Sequence, residues 1–335
     1  MHALIRKFVR IAGVALLTTA AATAAAQDMP VTVSVGVRDP IYSHLYVAYK
    51  KGFLQEEGLA PKLVVTGSGS RTAQLLATGQ ADVVMGNPEH VLVINGQGRP
   101  TVMLAAVDQR NTFGNILVAP DSPARTLPDL KGQSVGVTAT GGGAYYYARY
   151  LFMRNGLARD DVNWLNLGSV ANLMGALRAK RAAAVVASLS MIETAQDEKI
   201  GRVLFDSRDT EAWNKVFGGP MPSSVVYALA ANVDKNPELY KRFVKAIIKA
   251  DEFIKQNSPQ AIAEVIAAEM GGQSSDALAH AIGEYKTTYW RPEGLRIGEQ
   301  EFARWQDFAI KNELLPESDA ARFGYAALVK DVGAF

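Results

Sequence analysis

From Val31 to Val37 apolar and polar residues alternate, and the apolar ones are all valine, which is the pattern of a half-buried strand. A helical stretch follows from about Ser43 to Glu57, closed by Gly58. The unit then repeats: strand Lys62 to Thr66 with helix Arg71 to Thr78, strand Ala81 to Met85 with helix Glu89 to Asn95, and strand Thr101 to Val107. After Asp108 the pattern restarts with strands at Asn115 to Ala119, Ser134 to Thr138, Val162 to Leu167, Ala183 to Ala187 and Val203 to Asp206. Helices Ala144 to Asn155 and Leu173 to Arg181, and a short one from Met191, lie between them. The turn-rich segment Gly218-Gly219-Pro220-Met221-Pro222 precedes one more strand, Ser224 to Ala230. Beyond Pro237 the spacing is amphipathic and helical in Glu238 to Lys255, Pro259 to Glu269 and Glu299 to Lys311. Strands alternating with helices in short units predict parallel sheets covered on both faces, an α/β protein.

Two stretches echo each other. Leu75 to Val84 and Ala176 to Val185 each read as a helix end, a tight turn and a buried strand, as expected of two domains on one plan. With about 310 residues beyond the leader and 48% apolar composition, the chain is long enough for two cores.

The leader is Met1 to Ala26: Arg6, Lys7 and Arg10, then the apolar run Ile11 to Ala22, then Ala24-Ala25-Ala26. This is the pattern of an export signal cleaved between Ala26 and Gln27. The run is about a dozen residues, short of the roughly 20 that cross a bilayer. Without a cysteine there is no lipid attachment point, disulfide, thiol nucleophile or thiolate metal site. Removing Arg6, Lys7 and Arg10 from the 35 basic residues leaves 32 against 33 acidic ones, so the formal charge of +2 becomes about −1. A neutral, mixed chain gives no basis for binding nucleic acid or an anionic membrane, and no direct membrane insertion of the mature chain is expected.

Several segments together resemble the periplasmic solute-binding proteins of ABC importers, in the nitrate/sulfonate/taurine and thiamine-precursor group. They are Ala48-Tyr49-Lys50-Lys51-Gly52-Phe53 with Glu57-Gly58-Leu59, Leu76-Ala77-Thr78-Gly79-Gln80-Ala81-Asp82-Val83, Asp121-Ser122, and Leu127 to Val137. The resemblance implies a type II periplasmic-binding-protein fold: two lobes with parallel or mixed sheets and flanking helices, joined by a two-segment hinge. Residues 27–107 plus 227–335 would form lobe 1 and 108–226 lobe 2, with crossings near Val107-Asp108 and Val226-Tyr227. It also implies a small-molecule ligand in the cleft, a periplasmic location and a permease partner in the inner membrane. One departure is local: the second helix-turn-strand element has Lys180 and Ala183 where the pattern carries Gly and Asp, which puts that turn's geometry in question.

In parallel α/β sheets ligands sit at the C-terminal ends of strands, where helix N-termini present free N–H groups. Five turns meet this description. They contribute Tyr42, Ser43 and His44; Gly69, Ser70 and Arg71; Asn87 and Glu89; Thr140, Gly141 and Gly142; and Ser188. Tyr145 is the expected aromatic wall of the run Tyr145-Tyr146-Tyr147, since successive helical residues point about 100° apart. Trp213 is a second candidate. Arg71, Arg110 and His44 favour an anionic ligand such as a sulfonate or carboxylate, whereas Glu89 suits an amine.

Other functions find less support. No strand is followed by a Gly-x-Gly-x-x-Gly fingerprint, no P-loop ends in Gly-Lys-Ser/Thr, and there is no Gly-x-Ser-x-Gly elbow between a strand and a helix, since the one match, Gly132-Gln133-Ser134-Val135-Gly136, leads into the strand Ser134 to Thr138. His44, His90 and His280 lack His-x-x-x-His spacing, so neither a metal nor another cofactor is expected. The alternatives are a ligand-presenting subunit for a membrane receptor and, less favoured, an exported enzyme on the same fold.

Overall fold

The computed structural model describes residues 28–335; the leader and its Ala26–Gln27 junction lie outside them. The strands are β1 (Met29–Val35), β2 (Leu59–Val65), β3 (Val83–Gly86), β4 (Thr101–Ala106), β5 (Asn115–Val118), β6 (Ser134–Val137), β7 (Asn163–Asn166), β8 (Ala184–Ala187), β9 (Arg202–Phe205) and β10 (Val225–Leu229). They form two five-stranded sheets, ordered β2-β1-β3-β10-β4 and β7-β6-β8-β5-β9. In each, the first three are parallel and the fourth runs antiparallel to its neighbours. That fourth strand, β10 or β5, is the first one the chain makes after crossing between lobes.

The valines of β1 explain its position. Val31, Val33 and Val35 are buried, and from Val33 onward both faces are covered, as suits a strand flanked by two others. The helix expected from Ser43 to Glu57 is broken: Ser43–Lys50 and Phe53–Glu56 are separate, because Gly52 takes φ 78° between them. The turn with Lys180 keeps the shape of its counterpart. Gly79 has φ 74° and Lys180 φ 54°, and both turns feed a strand that starts by donating to the preceding sheet strand, Asp82 N–H to Thr32 O and Ala183 N–H to Ser134 O, each at 2.9 Å. The second copy lacks the bond from Thr32 N–H to the Asp82 carboxylate and those from the Thr78 hydroxyl to Gln74 O and Leu75 O, Ala179 standing in the place of Thr78.

The connection between lobes is more than two crossings. Val107 N–H donates to Ser224 O, Met221 N–H to Gln109 O, Gln109 N–H to Tyr289 O, and Arg291 N–H to Val107 O. Three segments therefore lie side by side. The second crossing expected at Val226-Tyr227 falls inside β10, which pairs with β3 and β4 from Val225 on. After Arg291 the chain reaches the second lobe: Phe308, on helix Glu299–Lys311, packs against Tyr147, Tyr150 and Phe217. It then returns to the first sheet, where Val329 bridges to Met103. No helix among the described residues is long and apolar enough to cross a membrane.

Candidate functional site

The C-terminal ends of β1, β2 and β3 face those of β6, β7 and β8 across the space between lobes. At its centre is Asp39, which follows β1 and caps the short helical turn Pro40–Tyr42. Its carboxylate is buried. Oδ1 accepts from Ile41 N–H at 3.0 Å and Tyr285 OH at 3.1 Å, and Oδ2 from the hydroxyls of Ser188 at 2.7 Å and Ser190 at 2.5 Å. Both serines follow β8, in the other lobe. Asp39 thus ties the lobes together at the strand ends.

Beside this tie lies a cleft of about 570 Å³, in the range of small-molecule sites. The first lobe lines it with Val37, Arg38 and Val65 to Gly67, and with Met270, Gly271 and Gln273 from the helical region. The second lobe adds Ser169 to Ala171, Met174, Ser190, Met191 and Thr194. At the mouth Arg38 donates to Glu269, both to the carboxylate at 3.0 Å and to the backbone carbonyl.

A second cluster surrounds Glu89, at the start of helix Glu89–Gly96. Both carboxylate oxygens are buried and without a hydrogen-bond partner, as are Tyr147 OH, Tyr227 OH and Trp305 Nε1. Burial pushes the Glu89 carboxyl up to about 8; Trp305 and Tyr147 face it closely enough to favour its charge, yet neither closes a hydrogen bond. Neighbouring His90 is pushed down to about 4 by burial.

Of the residues expected from the sequence, several meet between the lobes. Ser188 holds Asp39. Asn87 packs directly on Gly143, the first residue of the second lobe's helix Gly143–Arg154. Ser70 and Gly141 share a smaller groove with His90, whose ring packs on Gly69. Gly142 is the N-cap of that second-lobe helix, whereas Arg71 and Thr140 are exposed.

Others lie elsewhere. His44 is buried in the first lobe, 3.3 Å from Asp251 and edge-on to Trp290. Ser43 donates to Pro40 O. Tyr42 is buried, its phenol held above its usual range by burial and by Asp39. Arg110 is spent on Ser207 O, Arg208 O and Thr210, and lies over Trp213. Trp213 itself stacks in the second-lobe core with Phe217 and Tyr147. Tyr145 packs edge-on against Trp164, and it is Tyr147 that turns towards Glu89.

The sequence reading missed Asp39, Thr66, Gln273 and the three methionines. A signal for Asp39 existed, an Asp-Pro pair directly after a strand, but it reads equally as a cap.

A model of the NMT1/THI5-like family matches residues 39–261. YtlA of Bacillus subtilis (strain 168) is 24% identical over 279 residues, covering 82% of this chain and 81% of its own. A solved structure from Bordetella bronchiseptica RB50 is 26% identical with TM-score 0.81, covering 91% of this chain and 95% of its own. The alkanesulfonate-binding protein SsuA of Xanthomonas axonopodis pv. citri, bound to MOPS, has TM-score 0.74 at 17% identity, covering 92% of this chain and all of its own (100%). With a family match over most of its length and the two-lobed architecture of a periplasmic binding protein, the chain belongs to the NMT1/THI5-like family.

Proposed function

We propose that this chain is the extracytoplasmic binding subunit of an ABC importer, which captures a small organic solute between its lobes and presents the closed form to a permease. The observation that carries the reading is the position of the cleft beside the Asp39–Ser188–Ser190 tie. A solute entering there touches both lobes next to the bonds that form only when they meet. It therefore favours the closed population by its differential contacts. The role is binding without chemistry on the solute.

The test is recovery of the native solute. Protein purified from the exporting cell is denatured, the released compound identified by mass spectrometry, and the compound added back to stripped protein. It should raise the melting temperature by mass action, compact the molecule in X-ray scattering and be recovered unchanged. Identical scattering with and without a compound of proven affinity would refute hinged capture, and a chemically altered compound would point to an enzyme.

A further inference from the structure

Helix Ser275–Glu284 stands on Pro259–Ile266, and through it on Ser43–Lys50, so it belongs to the first lobe. Its other side packs on Leu189–Asp197, which follows β8 in the second lobe. Directly after it, in the π-helical turn Tyr285–Tyr289, the Tyr289 hydroxyl lies 2.7 Å from that of Ser207, also in the second lobe. The lobes meet along this helix, and charges far apart in the sequence are brought together there.

Arg208 is gripped by Asp206 of its own lobe, Nε to Oδ1 at 2.9 Å and Nη2 to Oδ2 at 2.6 Å. Its Nη1 faces one carboxylate from each lobe, Glu193 at 3.9 Å and Glu284 at 3.7 Å. On the other oxygen of Glu193, 3.5 Å away, is His280 Nε2 from the first lobe. Burial raises the Glu193 carboxyl, opposed by His280 and Arg208 and reinforced by Glu284 and Asp197. Behind the helix, Glu264 is the one charged residue of Pro259–Ile266; it is exposed and makes no ion pair among the described residues. Lys286 is turned away to Asn257 O.

With a neutral His280 the cluster has one cation, Arg208, against the four carboxylates Glu193, Asp197, Asp206 and Glu284. Closure then carries the charge of Glu284 up to a second-lobe set that already has two acidic charges in excess. A protonated His280 offsets Glu284 one helical turn away on its own helix and pairs with Glu193 across the contact. Imidazole is the side chain whose charge ordinarily changes between pH 5 and 8. Glu193, mostly buried, is screened less than a surface acid.

We propose that this cluster is a proton-operated latch: a proton on His280 completes an ion pair to Glu193 that exists only when the lobes are together, so acidity favours the closed form. The inference rests on the hinged-capture reading and adds its regulation. In an extracytoplasmic setting the pH of the medium then sets how readily the lobes close.

The chain has no cysteine, so two spin labels can be placed cleanly at Lys62→Cys and Asp160→Cys. Both residues are exposed, one on β2 and one just before β7, the edge strands most distant from the crossings in each strand order. Pulsed dipolar spectroscopy of the solute-free protein reads the ratio of closed to open molecules. From pH 8 to pH 6 that ratio should rise roughly three- to fivefold, the strength of a partly exposed ion pair. Glu193→Gln and His280→Gln should each remove the rise, and His280→Lys should hold the pH 6 ratio at pH 8. A rise that survives in Glu193→Gln belongs to other groups, such as Glu89, and overturns the latch. A wild-type ratio equal at the two pH values also overturns it. A distance that shortens with the solute recovered from native protein yet ignores pH leaves capture standing without the latch, whereas one unchanging distance in every condition removes hinged capture as well.

Discussion

Asp108, on the outgoing crossing, holds Ser223, on the returning one, by two hydrogen bonds: the Ser223 N–H at 2.9 Å and its hydroxyl at 2.8 Å. The N–H of Ser224 adds a third at 2.7 Å. The carboxylate is buried, and burial raises it to about 6 despite these donors. Asp108→Ala strands two backbone N–H groups away from water and should cost about 3 kcal/mol in urea unfolding, with Asp108→Asn costing less. A loss below about 1 kcal/mol would mean that the neighbouring segment Tyr289 to Arg291 is enough to hold the crossings.

Gly143 is a contact between lobes that tolerates no side chain. A Cβ there would sit inside van der Waals contact of Asn87. Gly143→Ala should hold the lobes apart, raising the radius of gyration of the ligand-saturated protein and weakening binding. The double variant with Asn87→Gly should restore both. Failure of that rescue would place the effect within the helix rather than between lobes.

Glu89 makes stability depend on pH. Its carboxyl stands at about 8 in the folded chain against 4.5 ordinarily, so the folded state keeps a proton that the unfolded state gives up. Stability is then fully present below 4.5 and is lost as pH rises through about 8. Asp108, at about 6, adds the same sign at lower pH; His90, at about 4 against 6.5, adds the opposite sign between those values. Between pH 6.5 and 8 Glu89 acts without them, and unfolding free energy should fall by about 1–2 kcal/mol. Glu89→Gln should flatten that slope. A wild-type protein equally stable at both ends of the window would contradict it.

Lys180 occupies the left-handed region at φ 54°, where its counterpart is Gly79. Lys180→Gly should stabilise by about 0.5–1 kcal/mol, the relief of backbone strain exceeding the loss of an exposed ion pair with Asp121. Thermal unfolding of this single variant is the measurement, and a lower melting temperature would show the ion pair to be the larger effect.

The strands were legible because runs such as Val31 to Val37 combine β-branching with burial, and helix Glu299–Lys311 because its apolar face repeats cleanly. Periodicity shows that such a helix has an apolar face but not which lobe will cover it, so the packing of Phe308 on Tyr147 was invisible. The turns at the strand ends were readable for the same reason that their side chains were not. His44 and Tyr145 sit on helices whose rotation is fixed by Asp251 and Trp164, residues 207 and 19 positions away. Asp39 gains its partners only when residues 149 and 151 positions away fold against it.

The strand order of the first sheet has a consequence for how the chain assembles. β10 lies between β3 and β4, although it is made more than a hundred residues after either. Until that segment is available the sheet has a gap between β3 and β4, with two rows of backbone groups unpaired and loop closure over the whole intervening lobe still to be paid in entropy. A chain emerging from its N-terminus thus has no complete first core to settle into until its second half has followed.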